Sequence, residues 1–483
     1  MLSPMDSLAA GLLWRRNDRI ACRIFRCVLL ILMTKQLFGT DGIRGVPGEV
    51  PLDDATLDRV GLALGEYVSS HGRATDARAR VLIGRDTRES GPHIADRIAR
   101  GLAAAGVEAI SAGVLTTPGV AWLVQHEEFA AGVVISASHN PYHDNGVKLI
   151  SSTGRKFPDA VEAELERFIL ASSESPESRG EMQLHDNEKI DDDYLDGLRA
   201  AVLPGANFAG MKIVMDCANG ASSKLGPRLF RSLGAHVIAI NDSPNGRNIN
   251  ADCGSLHPEA MQKRAAQSGA SLGVAFDGDA DRAIFASGSG RLVDGDGVLL
   301  VAGRYMKSAG TLKGDVIVGT TMANLGLERA LEKFGLKLTR TAVGDRYVLE
   351  EMLHVGANLG GEQSGHILFL DDATTGDGML TAVKLASIIA LSSPLDDLIA
   401  DLKIFPQKIV NVRVRSKPPL ESLPAVARGL AEAEKALGKS GRVVLRYSGT
   451  EPLARVMVEA EQQEDVKRWT ERLAEALREA IGA

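Results

Sequence analysis

The stretch Gly132 to Ile150 reads G-V-V-I-S-A-S-H-N-P-Y-H-D-N-G-V-K-L-I. Its first four residues form a short β-branched run, the pattern of a buried strand. The run stops at Ser136, Ala137, Ser138, His139, Asn140 and Pro141, all small, polar or turn-forming. In an open α/β sheet, a serine at the carboxyl end of a strand stands where such sheets bind ligands. Taken alone, the same residues describe an ordinary turn between two strands equally well.

The surrounding chain supplies the context. A helix-like stretch (Asp54 to Ser70) precedes a strand ending in polar residues, Val81 to Asp86. Helical periodicity runs from Ser90 to Ala105 with Ser90 as N-cap, then come a strand (Val107 to Val114) and a helix after Pro118. This alternation predicts a mostly parallel sheet. A polar stretch from Ser172 to Asp193 marks a boundary, after which the pattern restarts. Strands at Lys212 to Asp216, His236 to Ile240 and Ser271 to Phe276 alternate with helices at Ser223 to Leu233 and Pro258 to Ser268. A third cycle carries helices at Gly297 to Lys307, Leu325 to Phe334 and Gly378 to Leu391 and a strand at Asp315 to Gly319. The last segment reads strand, helix, strand, strand, helix, ending in an amphipathic helix from Asp465 to Ile481, a small α+β domain.

A chain of 483 residues exceeds one core and predicts three or four domains. A net charge of -7 implies no basic face for nucleic acid. The four cysteines, Cys22, Cys27, Cys217 and Cys253, form no disulfide or metal pattern, so a reducing cytoplasm is expected. Residues 1 to 32 differ in character: Arg15, Arg16, Arg19, Arg23 and Arg26 precede an apolar run, Val28 to Met33, far too short to span a bilayer. No small-residue cleavage site follows it, so Met33 reads as the functional start and 1–34 as an extension outside the fold.

Three further loops carry chemistry. Asp277, Asp279 and Asp281 alternate in D-G-D-A-D-R at the end of an apolar strand, and their carboxylates can converge on a hard cation. An EF-hand is excluded, because Arg282 stands where its glycine is required and Gly288 where its closing glutamate belongs. Few protein ligands suit magnesium, which keeps positions open for phosphate oxygens. Arg446, Ser448, Gly449, Thr450 and Arg455 combine two guanidiniums with hydroxyl and backbone donors, a set for phosphate. Glu362, Gln363, Ser364 and His366 in G-E-Q-S-G-H suit sugar hydroxyls or an amine. Walker A, Rossmann and hydrolase-elbow patterns are absent from the sequence.

In chain order, S-A-S-H-N-P, D-G-D-A-D-R, G-E-Q-S-G-H and R-Y-S-G-T-E-P resemble the four signature loops of the α-D-phosphohexomutase superfamily, over essentially all of Leu37 to Ala483. Within it, F-G-T-D-G-I-R-G (Phe38 to Gly45), V-G-D-R-Y-V (Val343 to Val348) and Gln363 resemble the branch acting on glucosamine phosphates. Enzymes for mannose and glucose phosphates usually differ at the Gln363 position and carry a histidine-bearing loop in place of Gly344, Asp345 and Arg346.

The resemblance implies a four-domain, heart-shaped α/β architecture: three related mixed-sheet domains and a smaller α+β C-terminal domain around a central cleft. Expected limits are 35–190 with the phosphoserine loop, 191–294 with the metal loop, 295–402 with the sugar loop and 403–483 with the phosphate loop. It implies Ser138 as the phosphoserine, and one Mg2+ per subunit held by Asp277, Asp279, Asp281 and a phosphoserine oxygen. Arg44, Glu362, Ser364, His366, Arg446, Ser448, Gly449, Thr450 and Arg455 would bind substrate. Lys148 and Arg282 would line the cleft near the transferred group, and Lys148 or His139 would act as general acid/base. Conversion of glucosamine 6-phosphate to the 1-phosphate follows, primed by glucosamine or glucose 1,6-bisphosphate, with Ser138 first phosphorylated by a kinase or by the protein itself. A homodimer is expected, with no nucleic-acid or membrane partner. The rivals are a phosphomannomutase or phosphoglucomutase, and a non-catalytic sugar-phosphate sensor.

Overall fold

Period-two patterning builds the first sheet. In the strands Arg80–Arg85 and Ala131–Ile135, Val81, Ile83, Val133 and Ile135 point to one face and pack under the helices Asp54–His71 and Gly91–Ala104. Leu82 and Val134 point the other way, into a second core that continues through the next two units. Each such side chain removed from water contributes about 1.5–3 kcal/mol. The computed structural model describes residues 36–39, 41–71, 79–171, 183–187, 189–448 and 451–483. The 1–34 extension, with Cys22 and Cys27, and the loop residues Gly449 and Thr450 lie outside these. Among the described residues, no helix is long and apolar enough to cross a membrane.

The first sheet has six strands in the order Phe38–Gly39, Gly42–Gly45, Asn145–Ser151, Ala131–Ile135, Arg80–Arg85, Glu108–Val114. The expectation of a mostly parallel sheet is corrected. Arg80–Arg85 runs parallel to both its neighbours, but Ala131–Ile135, Asn145–Ser151, Gly42–Gly45 and Phe38–Gly39 pair antiparallel in succession. The reason is loop length: the segment between Ile135 and Asn145 is too short for a crossover, so the chain returns antiparallel.

The same device recurs. In the second sheet the central strand Leu272–Phe276 is parallel to Lys212–Asp216, and the metal loop turns it back into the antiparallel strand Ala283–Ala286. In the third, Leu359–Gly361 is parallel to Val316–Thr320, and G-E-Q-S-G-H turns it back into Ile367–Phe369. The fourth sheet is antiparallel throughout, in the order Gln407–Arg413, Leu453–Ala460, Gly441–Tyr447, the last two being consecutive in sequence. Its core, around Val456, Val458, Trp469 and Leu473, is separate from the others.

Two local expectations also change. Ser90 precedes the helix Gly91–Ala104 but makes no capping bond; its Oγ accepts from Asn145 Nδ2 at 2.9 Å instead. The polar boundary stretch ends inside a helix, Ile190–Ala200, whose first turn holds Asp191, Asp192 and Asp193, where the helix dipole favours negative charge.

Candidate active site

Ser138 closes the strand Ala131–Ile135 in a left-handed conformation, φ +53°, and is 2% exposed. Its backbone N–H donates to Ser136 Oγ at 2.9 Å. Its hydroxyl donates to Asp277 Oδ2 at 2.6 Å, a bond between the first and second units, and lies 3.2 Å from His139 Nδ1. Burial, together with the Arg282 and Arg44 charges, holds the His139 imidazole below its usual pKa.

The aspartates of the metal loop are buried, and one oxygen from each lies within 4.8 Å of the others. Asp277 Oδ1 accepts from the Arg282 backbone N–H at 3.2 Å. Burial and the charges of Asp281 and Asp279 hold the Asp277 carboxyl well above the usual range. Asp281 is driven the opposite way: burial opposes ionisation, but Lys148, His366 and Arg282 outweigh it. Asp279 Oδ1 and Asp281 Oδ1 are buried acceptors with no hydrogen-bond donor. Orphaned carboxylate oxygens on a converging acidic loop fit a hard divalent cation, so the donor set suits magnesium.

Lys148, on the return strand Asn145–Ser151, is the counter-charge. Its Nζ lies 2.9 Å from Asp279 Oδ2, 3.1 Å from Asp41 Oδ2 and 3.6 Å from Asp281 Oδ2, with 1% of the side chain exposed. Burial alone would favour loss of its proton, but these carboxylates outweigh burial and hold the ammonium charged well above its usual range. Thr117 Oγ1 also donates to Asp279 Oδ2, at 2.6 Å. Asp41 is shared further: Arg44 Nη2 and Lys156 Nζ each bond it at 2.5 Å, and Lys156 Nζ reaches Asp345 Oδ2 at 2.7 Å, joining the first unit to the third.

The sugar loop docks against the metal loop. Gly365 adopts φ +91° and packs where a Cβ would lie 2.3 Å from Ala283 O, so only glycine fits. Glu362 Oε1 accepts from Gly344 N at 3.0 Å, and Ser364 is exposed at the tip. His366 is buried: its Nε2 accepts from Gly376 N at 3.2 Å, and its Nδ1 lies 3.9 Å from Asp281 Oδ2, an ion-pair separation too long for a hydrogen bond. Burial opposes its protonation, but Asp281 and Asp345 raise its pKa.

Ser138, His139, Lys148, the three aspartates, Arg44, Arg282 and the sugar loop are thus brought together. The described residues of the phosphate loop, Arg446, Ser448 and Arg455, stand apart. Arg455 Nη2 bonds Glu451 Oε2 at 2.9 Å and Ser448 O accepts from Lys417 Nζ at 2.6 Å, all within the fourth unit. Arg446 and Arg455 are directly opposite in the strand register, and Arg455 Nε is buried without a partner. Like charges directly opposed across a ladder are unfavourable unless an anion joins them. Sequence reading missed Asp41, Thr117 and Lys156. Asp41 had a signal, inside F-G-T-D-G-I-R-G; the other two are recruited across the fold and have none.

Models of the phosphoglucomutase/phosphomannomutase domains match in order: α/β/α domain I over residues 35–176, domain II over 192–290, domain III over 294–405 and the C-terminal domain over 409–476. A phosphoglucosamine mutase from Solibacter usitatus (strain Ellin6076) is 51% identical over 451 residues, covering 93% of this chain and 100% of the relative. One from Koribacter versatilis (strain Ellin345) is 51% identical over 457 residues, covering 93% and 98%. Among solved structures, a phosphoglucomutase/phosphomannomutase family protein from Burkholderia thailandensis aligns with TM-score 0.75 at 24% identity, covering 94% of this chain and 100% of that one. Aspergillus fumigatus N-acetylphosphoglucosamine mutase, in complex with GlcNAc-6P and magnesium, aligns with TM-score 0.60 at 19% identity, covering 94% and 98%. With half its residues shared along nearly the whole length of these relatives, and all four domains in sequence, the chain belongs to the phosphoglucosamine mutase family.

Proposed function

We propose that the protein interconverts glucosamine 6-phosphate and glucosamine 1-phosphate through a phosphorylated Ser138 and a 1,6-bisphosphate intermediate. The observation that carries this is the 2.6 Å bond from Ser138 Oγ to Asp277, at the meeting point of three loops from three units. In the forward step a sugar hydroxyl oxygen forms a bond to the phosphoserine phosphorus as the bond to Ser138 Oγ breaks. The hydroxyl proton departs to a base, and Oγ regains one proton. The bisphosphate then turns over and returns its other phosphate to Ser138. Positioning and charge neutralisation dominate such transfers.

His139, with Nδ1 3.2 Å from Ser138 Oγ, is the candidate to exchange the proton. Lys148, enclosed by three carboxylates, serves better as a fixed charge beside the departing phosphoryl group. Asp277, Asp279 and Asp281 would hold magnesium together with a phosphoserine oxygen; the ion, when bound, withdraws charge from the phosphoryl group. Glu362 and Ser364 would hold the sugar and Arg446, Ser448 and Arg455 its far phosphate, with Gly449 and Thr450 in the same loop. Glucosamine or glucose 1,6-bisphosphate would prime the enzyme, and an activating kinase or autophosphorylation would supply the first phosphate. We assign the protein to the cytoplasm as a homodimer that supplies amino-sugar nucleotide and cell-wall precursor synthesis, with domain limits at 190/191, 294/295 and 402/403.

Ser138→Ala tests this reading. Nearly all turnover should vanish while the circular-dichroism spectrum and melting temperature stay close to wild type; full activity would sink the phosphoserine mechanism.

A further inference from the structure

Ser138 sits in a conformation that a non-glycine residue adopts at a cost of about 1 kcal/mol or more, so something outside the loop must impose it. Two side chains with no part in the chemistry described above do so. Arg88 Nη2 donates to Ser138 O at 3.3 Å and to Asn140 O at 2.6 Å. Asn250 Nδ2 donates to the same two carbonyls, at 2.9 and 3.0 Å. The loop is therefore gripped at the residues on either side of His139, each carbonyl accepting from both donors.

The grip comes from two different units. Arg88 belongs to the first, just past the strand Arg80–Arg85; it is 1% exposed and its guanidinium pairs with Asp86, whose Oδ1 accepts from the Arg88 backbone at 2.9 Å. Asn250 belongs to the second unit, in a loop whose own backbone is fixed by a bond from Asn250 N to Ala218 O at 2.9 Å. Gly278, beside Asp277, closes the other side: a Cβ there would lie 2.5 Å from Ser138 O. The neighbours of Arg88 stitch the same seam, Thr87 Oγ1 to Asn219 O at 2.5 Å and Glu89 N to Gly246 O at 3.0 Å.

The bond from Ser138 Oγ to Asp277 crosses this seam, so its length depends on how the two units hold the serine backbone. We propose that Arg88 and Asn250 are positioning residues for phosphoryl transfer, a paired clamp that fixes the Ser138 loop of the first unit against the Asp277 loop of the second and thereby sets where Ser138 Oγ can reach. The proposal rests on Ser138 being the residue that carries the phosphate. Its consequence is selective. Loosening the clamp misplaces the transferred group but leaves the sugar and phosphate loops of the third and fourth units untouched. The rate of transfer then falls while substrate affinity holds.

The test uses the full-length, magnesium-loaded enzyme primed with glucose 1,6-bisphosphate. Asn250→Ala removes one donor without unpairing a buried charge, Arg88→Lys keeps a cation beside Asp86 but loses the fork, and Thr87→Val cuts a seam bond without touching the two carbonyls. The expected result for Asn250→Ala and Arg88→Lys is a kcat about 10- to 100-fold below wild type, with KM for glucosamine 6-phosphate unchanged. Wild-type phosphate occupancy of Ser138, read by intact-mass spectrometry, should be retained. A kcat per folded molecule equal to wild type in Asn250→Ala would overturn the proposal, whatever happens to the melting temperature. So would an equal loss in Thr87→Val, which would make the effect one of unit docking in general. Should Arg88→Lys fail to fold, Asn250→Ala decides alone. Finding no phosphate on Ser138 in turning-over wild-type enzyme would instead remove the phosphoserine reading itself, and that observation is independent of the variants.

Discussion

At the scale of single residues, the opposed pair Arg446 and Arg455 is the most informative outside the serine loop. They face each other across the strand register, two cations on one face of which Arg455 is paired with Glu451, so a bound anion would add a second counter-charge between them. Charge-assisted bonds to phosphate contribute about 1.5–3 kcal/mol each. Arg455→Ala should therefore raise KM for glucosamine 6-phosphate about 10- to 100-fold with little change in melting temperature; an unchanged KM would exclude Arg455 from phosphate binding. This pair was legible in sequence because the chemistry is local, two arginines flanking S-G-T. The three aspartates were legible for the same reason. Thr117 and Lys156 were not: each reaches the site from a segment with no motif, and only the tertiary fold brings Thr117 Oγ1 to Asp279 and Lys156 Nζ to Asp41.

At the scale of elements, helices were easier to read than sheet direction. The helix Gly378–Leu391 was legible to the residue, because Asp377 stands as a capping residue before a mostly apolar run interrupted only by Thr381, Lys384 and Ser387. Strand direction was not, because a period of two reports which face is buried and says nothing of a neighbour's direction. The antiparallel return strand after the serine, metal and sugar loops follows from loop length, and the first of these strands carries Lys148 to Asp279 and Asp281 of the second unit. The cap of Gly378–Leu391 carries a testable pH dependence. Asp377 Oδ1 accepts from Leu380 N at 2.9 Å and Oδ2 from the Tyr194 hydroxyl at 2.9 Å. Burial raises its carboxyl from 3.8 to about 6. Below pH 3.8 both folded and unfolded chains hold this proton. As pH rises towards 6 the unfolded chain loses it first, so the group's contribution to stability is lost across that window and stays constant above it. Asn in its place cannot ionise. The melting temperature of Asp377→Asn relative to wild type should therefore climb between pH 3.8 and about 6 and then level off; a flat difference across that range would contradict the assignment.

At the scale of the molecule, the fourth unit has its own apolar core and meets the third through several polar contacts. Glu459 is fully buried; its Oε1 accepts from Leu325 N at 2.8 Å, at the start of the helix Leu325–Lys333, and its Oε2 pairs with Arg442 Nε at 2.6 Å. Arg442 Nη2 donates to Ala323 O at 2.6 Å. Were the fourth unit to carry the phosphate clamp as proposed, this polar seam is where it would turn with the bisphosphate. Glu459→Gln leaves Arg442 without its counter-charge and should cost about 1–3 kcal/mol in a denaturant titration. The same variant should release more bisphosphate per turnover, detected by trapping it with excess unprimed enzyme; no change in either would mean that this contact does not hold the fourth unit.

The activity proposed for this fold is transfer of a phosphoryl group between the two ends of an amino sugar. The most direct measurement is kcat/KM of the magnesium-loaded, bisphosphate-primed protein on glucosamine 6-phosphate, glucose 6-phosphate and mannose 6-phosphate side by side. A clear preference for glucosamine 6-phosphate is predicted. Equal or faster turnover of the neutral sugars would contradict the assigned substrate, and turnover of none of the three would contradict the mutase itself.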